Sequence, residues 1–141
     1  MKRLTMRNQQ REVPLVTQVL RRQTQWLLEH ALAWPKYEIG IYFINSKRMT
    51  ALNECHLSHE GPTDILTFDY KESIPTGEIF ICPKVAEENA RQYRATLHQE
   101  IARYLIHGLL HMNGYDDKTP GDRRKMKREE NRLLCLLHNN G

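Results

Sequence analysis

The chain predicts an α+β domain: a small mixed β-sheet packed on several helices, one of them central, buried and carrying an HxxxH histidine pair. Three observations lead there. Strand-type and helix-type segments are intermixed along the chain, the pattern of a sheet with helices packed on it. The segment Thr96 to Asn113 is apolar on almost every side, as a helix at the centre of a domain must be. The 141 residues contain no linker, repeat or low-complexity tract, so one domain spanning 1–141 is expected, long enough to bury a core without disulfides.

The elements follow in order. Val13 to Ala33 places Leu15, Val16, Val19, Leu20, Trp26, Leu27 and Ala31 on a helical stripe, with Pro14 suited to the first turn and Trp34-Pro35 as the stop. Tyr37 to Asn45, YEIGIYFIN, is β-branched and aromatic and reads as a strand. Asn45 or Ser46 caps a short helix to Leu52 that turns Met49 and Leu52 inward. Cys55 to Pro62 is polar without periodicity and reads as a loop. Strands follow at Asp64 to Tyr70 and Glu78 to Cys82, joined by an irregular hairpin connection. Pro83 starts a helix to about Tyr93, acidic early at Glu87 and Glu88 and basic late at Arg91 and Arg94. Thr96-Leu-His-Gln99 is a capping-box pattern that opens the central helix. A last helix, about Asp122 to Leu137, begins basic and ends apolar.

Charge and cysteine content narrow the setting. Lys+Arg 21 against Asp+Glu 17 gives a formal net charge of +4, with a pI near 9.1. This mild basicity is compatible with a polyanionic partner without requiring one. Cys55, Cys82 and Cys135 are widely spaced and form no CxxC pair, so they read as reduced thiols. No apolar run approaches membrane-spanning length, and MKRLTMRNQQ lacks the apolar core of a signal peptide. A soluble, cytoplasmic protein is the expectation.

The chemistry is concentrated in His107-Gly-Leu-Leu-His111-Met-Asn-Gly114-Tyr-Asp-Asp117. Residues four apart on a helix share a face, so both imidazoles can reach one ion. Gly114 can take the left-handed conformation that turns the chain back and returns Asp117 as a third ligand. The spacing is zincin-like, that of HExxHxxGxxH with Asp for the last His and Gly for the Glu. In a zinc peptidase that Glu is the general base, and Gly108 has no side chain to replace it. His107, His111 and Asp117 would leave a fourth position for water, as in a catalytic zinc site. One zinc ion per chain is expected, with nickel, copper and iron open alternatives. The alternative for the pair is two hydrogen-bonded core histidines. The one polar stripe of the central helix is Glu100, Arg103, His107 and His111, which should face a cleft bordered by the Cys55 to Asp64 segment.

HGLLHMNGYDD resembles the HGxLHLxGYDH signature of the YbeY family of bacterial metal-dependent endoribonucleases. Leu52 to Phe68 (LNECHLSHEGPTDILTF) and Gly77 to Cys82 (GEIFIC) resemble that family's LNxxyRxxdxPTDVLSF and GDIxIS blocks, in the same order. The similarity covers roughly residues 37 to 134. It implies the same α+β fold and a single-strand-specific endoribonuclease of late-stage ribosome quality control that matures the 3′ end of small-subunit (16S) rRNA. The implied partners are rRNA and the ribosome, with small-subunit proteins or an assembly GTPase as further ones.

Three departures matter. Asp117 and not His closes the ligand set; Asp116 is a neighbouring carboxylate that could serve instead. Leu57 stands where the family has an Arg near the metal, and Leu cannot bind phosphate. The carboxy-terminal helix is basic where relatives often have an acidic one. Arg103, one turn before His107, is the first candidate for the missing cation, the alternative being an ion pair with Glu100 or another carboxylate. His59 and His56 lie beside the Leu57 position. Asp64 is a candidate catalytic base or a turn residue. Arg123, Arg124, Lys125, Lys127 and Arg128 form a candidate RNA-facing surface or an ordinary solvated one. A non-catalytic ribosome-associated assembly factor with a structural metal is the competing reading, and a metallopeptidase a third.

Overall fold

The computed structural model describes residues 1–57 and 64–140, with the backbone alone for 56, 57 and 140. His59 lies outside the described residues. Four strands, β1 (Lys2–Asn8), β2 (Tyr37–Phe43), β3 (Ile65–Asp69) and β4 (Thr76–Ile81), form one mixed sheet in the order β1-β2-β4-β3. β1, β2 and β4 run parallel and β3 antiparallel to β4, with Ile41 level with Ile79 and Thr67 on its other side. The α+β architecture is that expected.

Alternation along β2 and β4 divides the interior into two layers. Ile39, Ile41, Phe43, Ile79 and Ile81 join the larger core, built with α1 (Thr17–Trp26), α4 (Leu97–Met112) and α5 (Pro120–Asn140). Tyr42 and Phe80 point the other way, to Leu66, Phe68 and Met49 of α2 (Ser46–Leu57). There the Tyr42 and Phe80 rings stack with centroids 5.2 Å apart, and Phe68 meets Phe80 edge-on at 5.7 Å. β2 is therefore covered on both faces, which explains its nearly continuous apolar run.

Several boundaries differ from the sequence expectation. β1 was not expected; its charged residues sit on a sheet edge, where only Leu4 and Met6 pack on the core. Helix α1 begins at Thr17, not Val13, because Gln10 bonds Val13 through both its N–H and its carbonyl and closes a turn there. Pro14 thus precedes the helix. The Leu27–Ala31 segment continues α1 as a π turn. Asn45 caps α2, accepting from the Arg48 N–H at 2.8 Å. That helix reaches Leu57, so Cys55 to Leu57 are helical and not loop. Helix α3 (Pro83–Gln92) opens on Pro83 as expected. α5 starts at Pro120, two residues before the expected Asp122, because Thr119 accepts from the Asp122 N–H at 3.0 Å.

α4 is fixed at both ends by local chemistry. Thr96 and Gln99 complete the capping box, at 3.1 Å and 2.9 Å. At the other end Gly114 has φ +98. Its N–H reaches the His111 carbonyl and the Tyr115 N–H reaches the Leu110 carbonyl, the paired bonds of a Schellman stop. Between the ends, Gly108 lies against the sheet. A Cβ there would stand 2.9 Å from Ile79 Cδ1 and 3.1 Å from Thr67 Oγ1. The close approach of α4 to β3 and β4 depends on that missing side chain.

Candidate metal centre on the central helix

With α4 seated on the sheet by Gly108, the neighbouring His107 points away from it toward α5 and the returning chain. His107 Nε2 lies 3.7 Å from Asp117 Oδ2. Two ligands of one tetrahedral ion, each about 2.0–2.2 Å from it, would be roughly 3.4 Å apart, so this pair already stands near ligand spacing. The Schellman turn at Gly114 returns Asp117 to the helix that carries His107. Asp117 is stabilised in turn by its N–H, which donates to Asp116 Oδ1 at 2.7 Å.

The other ring nitrogen, Nδ1, is 2.6 Å from Glu130 Oε2. Glu130 is on α5 and 6% exposed. This hydrogen bond is the largest influence on the imidazole and raises its pKa above the ordinary value; burial opposes it, while the charges of Glu130, Asp117 and Asp64 add to it. A more basic imidazole is a stronger metal ligand. His111 is exposed one turn further along α4. Among the described residues no three His, Cys, Asp or Glu side chains form a cluster set for an ion. The donor chemistry and the His107–Asp117 spacing suit a divalent ion; His111 is the residue that would complete the set.

The remaining candidates distribute around this pair. Arg103 is shared between Glu100, at 3.7 Å, and Glu130, at 3.6 Å, and also donates to Asn131 at 3.4 Å. The ion-pair alternative is therefore present. The N-terminal half of the polar stripe, Glu100 and Arg103, lines a cavity of about 490 Å³ with Gln23, His98, Leu134 and His138. The Tyr104 hydroxyl accepts from the Asn89 amide at 2.7 Å. Burial raises the pKa of the Tyr104 phenol, and the Asp64 charge adds to that rise. The Asp64 charge acts on the His107 ring as well. Arg123, Arg124, Lys125, Lys127 and Arg128 are all exposed. Arg123 donates to the Asp117 carbonyl at 3.3 Å. Among the described residues the other four make no ion pair.

Glu130 and Tyr104 were missed at the sequence level. One signal for Glu130 was available: Met126, Leu133 and Leu137 are the buried stripe of α5, and Glu130 falls on that stripe four residues after Met126. A carboxylate at an apolar position of a helix needs a partner.

The family model described as Endoribonuclease YbeY matches residues 5–138. An Endoribonuclease YbeY of Chlamydia caviae is 36% identical, covering 92% of this chain and 87% of its own. One from Phocaeicola vulgatus is 37% identical, over 81% of this chain and 85% of its own. The solution structure of TM1509 from Thermotoga maritima superposes with a TM-score of 0.73 over 97% of this chain and 90% of that one. At 24% identity that similarity speaks for the fold.

Proposed function

Since the chain belongs to the YbeY family, we propose that it is a single-strand-specific, metal-dependent endoribonuclease. Its place would be the maturation of the 16S rRNA 3′ end and late-stage ribosome quality control. The observation that carries the site assignment is His107, with Nδ1 taken by Glu130 at 2.6 Å and Nε2 facing Asp117 at 3.7 Å. His107, His111 and Asp117 would hold one zinc ion. When bound, the ion would lower the pKa of a water ligand and polarise a phosphoryl oxygen. The relatives' names supply the RNA phosphodiester as substrate.

The chain's own groups then have defined tasks. Asp64, whose charge acts on both the Tyr104 phenol and the His107 ring, would be the carboxylate that accepts a proton from the attacking hydroxyl or water. RNA brings its own ribose hydroxyl, so no protein nucleophile is required. The exposed α5 stripe would steer the strand, with rRNA and the ribosome as partners and small-subunit proteins or an assembly GTPase as neighbours in the cytoplasm. No helix among the described residues is long and apolar enough to cross a membrane.

The test is incubation of zinc-loaded protein with single-stranded and duplex RNA. Cleavage of the single strand by the native chain and none by His111→Ala is the expected result. No cleavage by the native chain, with tight rRNA binding intact, would favour the assembly-factor reading with a structural metal. Leu57 gives that second reading its specific support. If the missing guanidinium matters, Leu57→Arg should raise the cleavage rate by about 10- to 150-fold, the equivalent of a charge-assisted hydrogen bond of about 1.5–3 kcal/mol made in the transition state.

The basic stripe has its own readout. Arg124, Lys127 and Arg128 lie three and four residues apart on one face of α5. Replacing all three by Ala should reduce the dependence of log Kd on log salt by roughly 2, at about 0.7 per phosphate contact for single strands. An unchanged slope in a binding titration would return these side chains to an ordinary solvated face.

A further inference from the structure

We infer that Glu130 is the positioning residue of this centre: it holds His107 as the Nδ1–H tautomer, so that Nε2 alone is presented toward Asp117, and Arg103 braces it from behind. The inference rests on the metal reading above for its purpose, and on the geometry for its substance.

Three observations carry it. Glu130 lies on the buried stripe of α5, with Met126, Leu133 and Leu137 around it at 2% exposure each. An apolar residue there would generally be as stable or more so, since a buried ion pair seldom recovers its desolvation cost. The carboxylate therefore has a role other than packing. Its two oxygens have separate tasks. Oε2 takes His107 Nδ1 at 2.6 Å, a charge-assisted length, while Oε1 faces Arg103 at 3.6 Å. Arg103 is fixed in turn by Glu100, itself buried, at 3.7 Å and by Asn131 at 3.4 Å. The chain Glu100–Arg103–Glu130–His107 thus spans α4 and α5 and ends on the ring. Swinging the imidazole away from Asp117 would strip a buried carboxylate of its closest partner. Carboxylates that receive the second N–H of a ligand histidine fix both its tautomer and its orientation.

On this account Arg103 acts through Glu130 rather than on phosphate. Asp117 lies at Nε2 and cannot take over the Nδ1 proton, because that nitrogen faces α5.

The test uses Glu130→Leu, which completes the apolar stripe, and Glu130→Gln, which keeps the shape. Zinc affinity is measured by competition with a chromophoric chelator, and the His107 tautomer by nitrogen NMR of metal-free, histidine-labelled protein at alkaline pH. The native chain should show the Nδ1–H form. In Glu130→Leu the Nε2–H form should appear and zinc affinity should fall about 10- to 100-fold; Glu130→Gln should fall between the two. Native affinity and an unchanged tautomer in both variants would overturn the inference. If Glu130→Leu does not fold, Glu130→Gln alone decides it by the same two readouts. If the native chain binds no zinc, the functional reading fails, yet the tautomer shift still reports whether Glu130 fixes the ring.

Discussion

Gly108→Glu, the substitution that writes HExxH into this chain, should abolish the fold and create no peptidase. The first atom of any side chain at 108 would already stand 2.9 Å from Ile79 Cδ1, 3.1 Å from Thr67 Oγ1 and 3.3 Å from Ile65 Cδ1. Glutamate would be driven into the floor formed by β3 and β4, beside an Ile79 with no solvent exposure. Overpacking there costs about 1–3 kcal/mol, and a carboxylate without a partner in such a place costs several more. Against a typical domain stability of about 5–15 kcal/mol the sum is near or beyond what the fold can absorb. Insoluble protein, or loss of a cooperative thermal transition, is the expected outcome. Gly108→Ala is the control. Its methyl meets the same three side-chain atoms, an overpacking of about 1–3 kcal/mol that about 1 kcal/mol of helix propensity offsets in part, so it should fold with only a modestly lowered melting temperature. A folded Gly108→Glu with native stability would mean that the helix rolls to expose position 108. Peptide cleavage by that variant would revive the metallopeptidase reading. The residue that excludes peptidase chemistry is thus the one that lets α4 approach the sheet.

What could be read from the sequence was local, and what could not be read was contact between distant segments. The limits of α4 were legible because a capping box and a Gly stop each act within a few residues. The approach of Asp117 to His107 was legible for the same reason, since one turn at Gly114 sets it. β1 was not. KRLTMRN has little strand character of its own, and it becomes a strand by pairing in parallel with β2 some 35 positions on, Leu4 level with Ile39. The end of α2 was misplaced because its last turn is polar: Glu54 and Cys55 are exposed on it, so apolar periodicity gives no sign of helix there. Glu130 was hidden by distance, being 23 residues from His107. Which face of α5 meets α4 is decided by the packing of Met126, Leu133 and Leu137, and the basic start of that helix drew attention to its solvent side. Arg103 shows the complementary difficulty. Its position on the histidine face was plain, yet its two carboxylate partners decide what that position means.

His107→Ala and His111→Ala should agree in function and differ in stability. Both remove an imidazole from the proposed ligand set, and each should lower zinc affinity and single-strand cleavage by more than about 100-fold, beyond what loss of an outer partner brings. In chelator-treated protein the two should separate. His107→Ala leaves Glu130, buried in α5, without the nitrogen 2.6 Å from Oε2; only Arg103 at 3.6 Å remains. A buried acceptor so abandoned costs about 1–3 kcal/mol, or about 2–4 °C of Tm for each kcal/mol in a domain near this size. His111 is exposed, and its removal should stay within about 0.5 kcal/mol. Thermal unfolding of the metal-free variants measures the difference directly. Equal destabilisation would mean that His111 carries as much of the packing as His107, contrary to its exposure. Undiminished cleavage by either variant would remove the metal from the mechanism, because no ion held by His107, His111 and Asp117 could keep its affinity after losing one of three ligands.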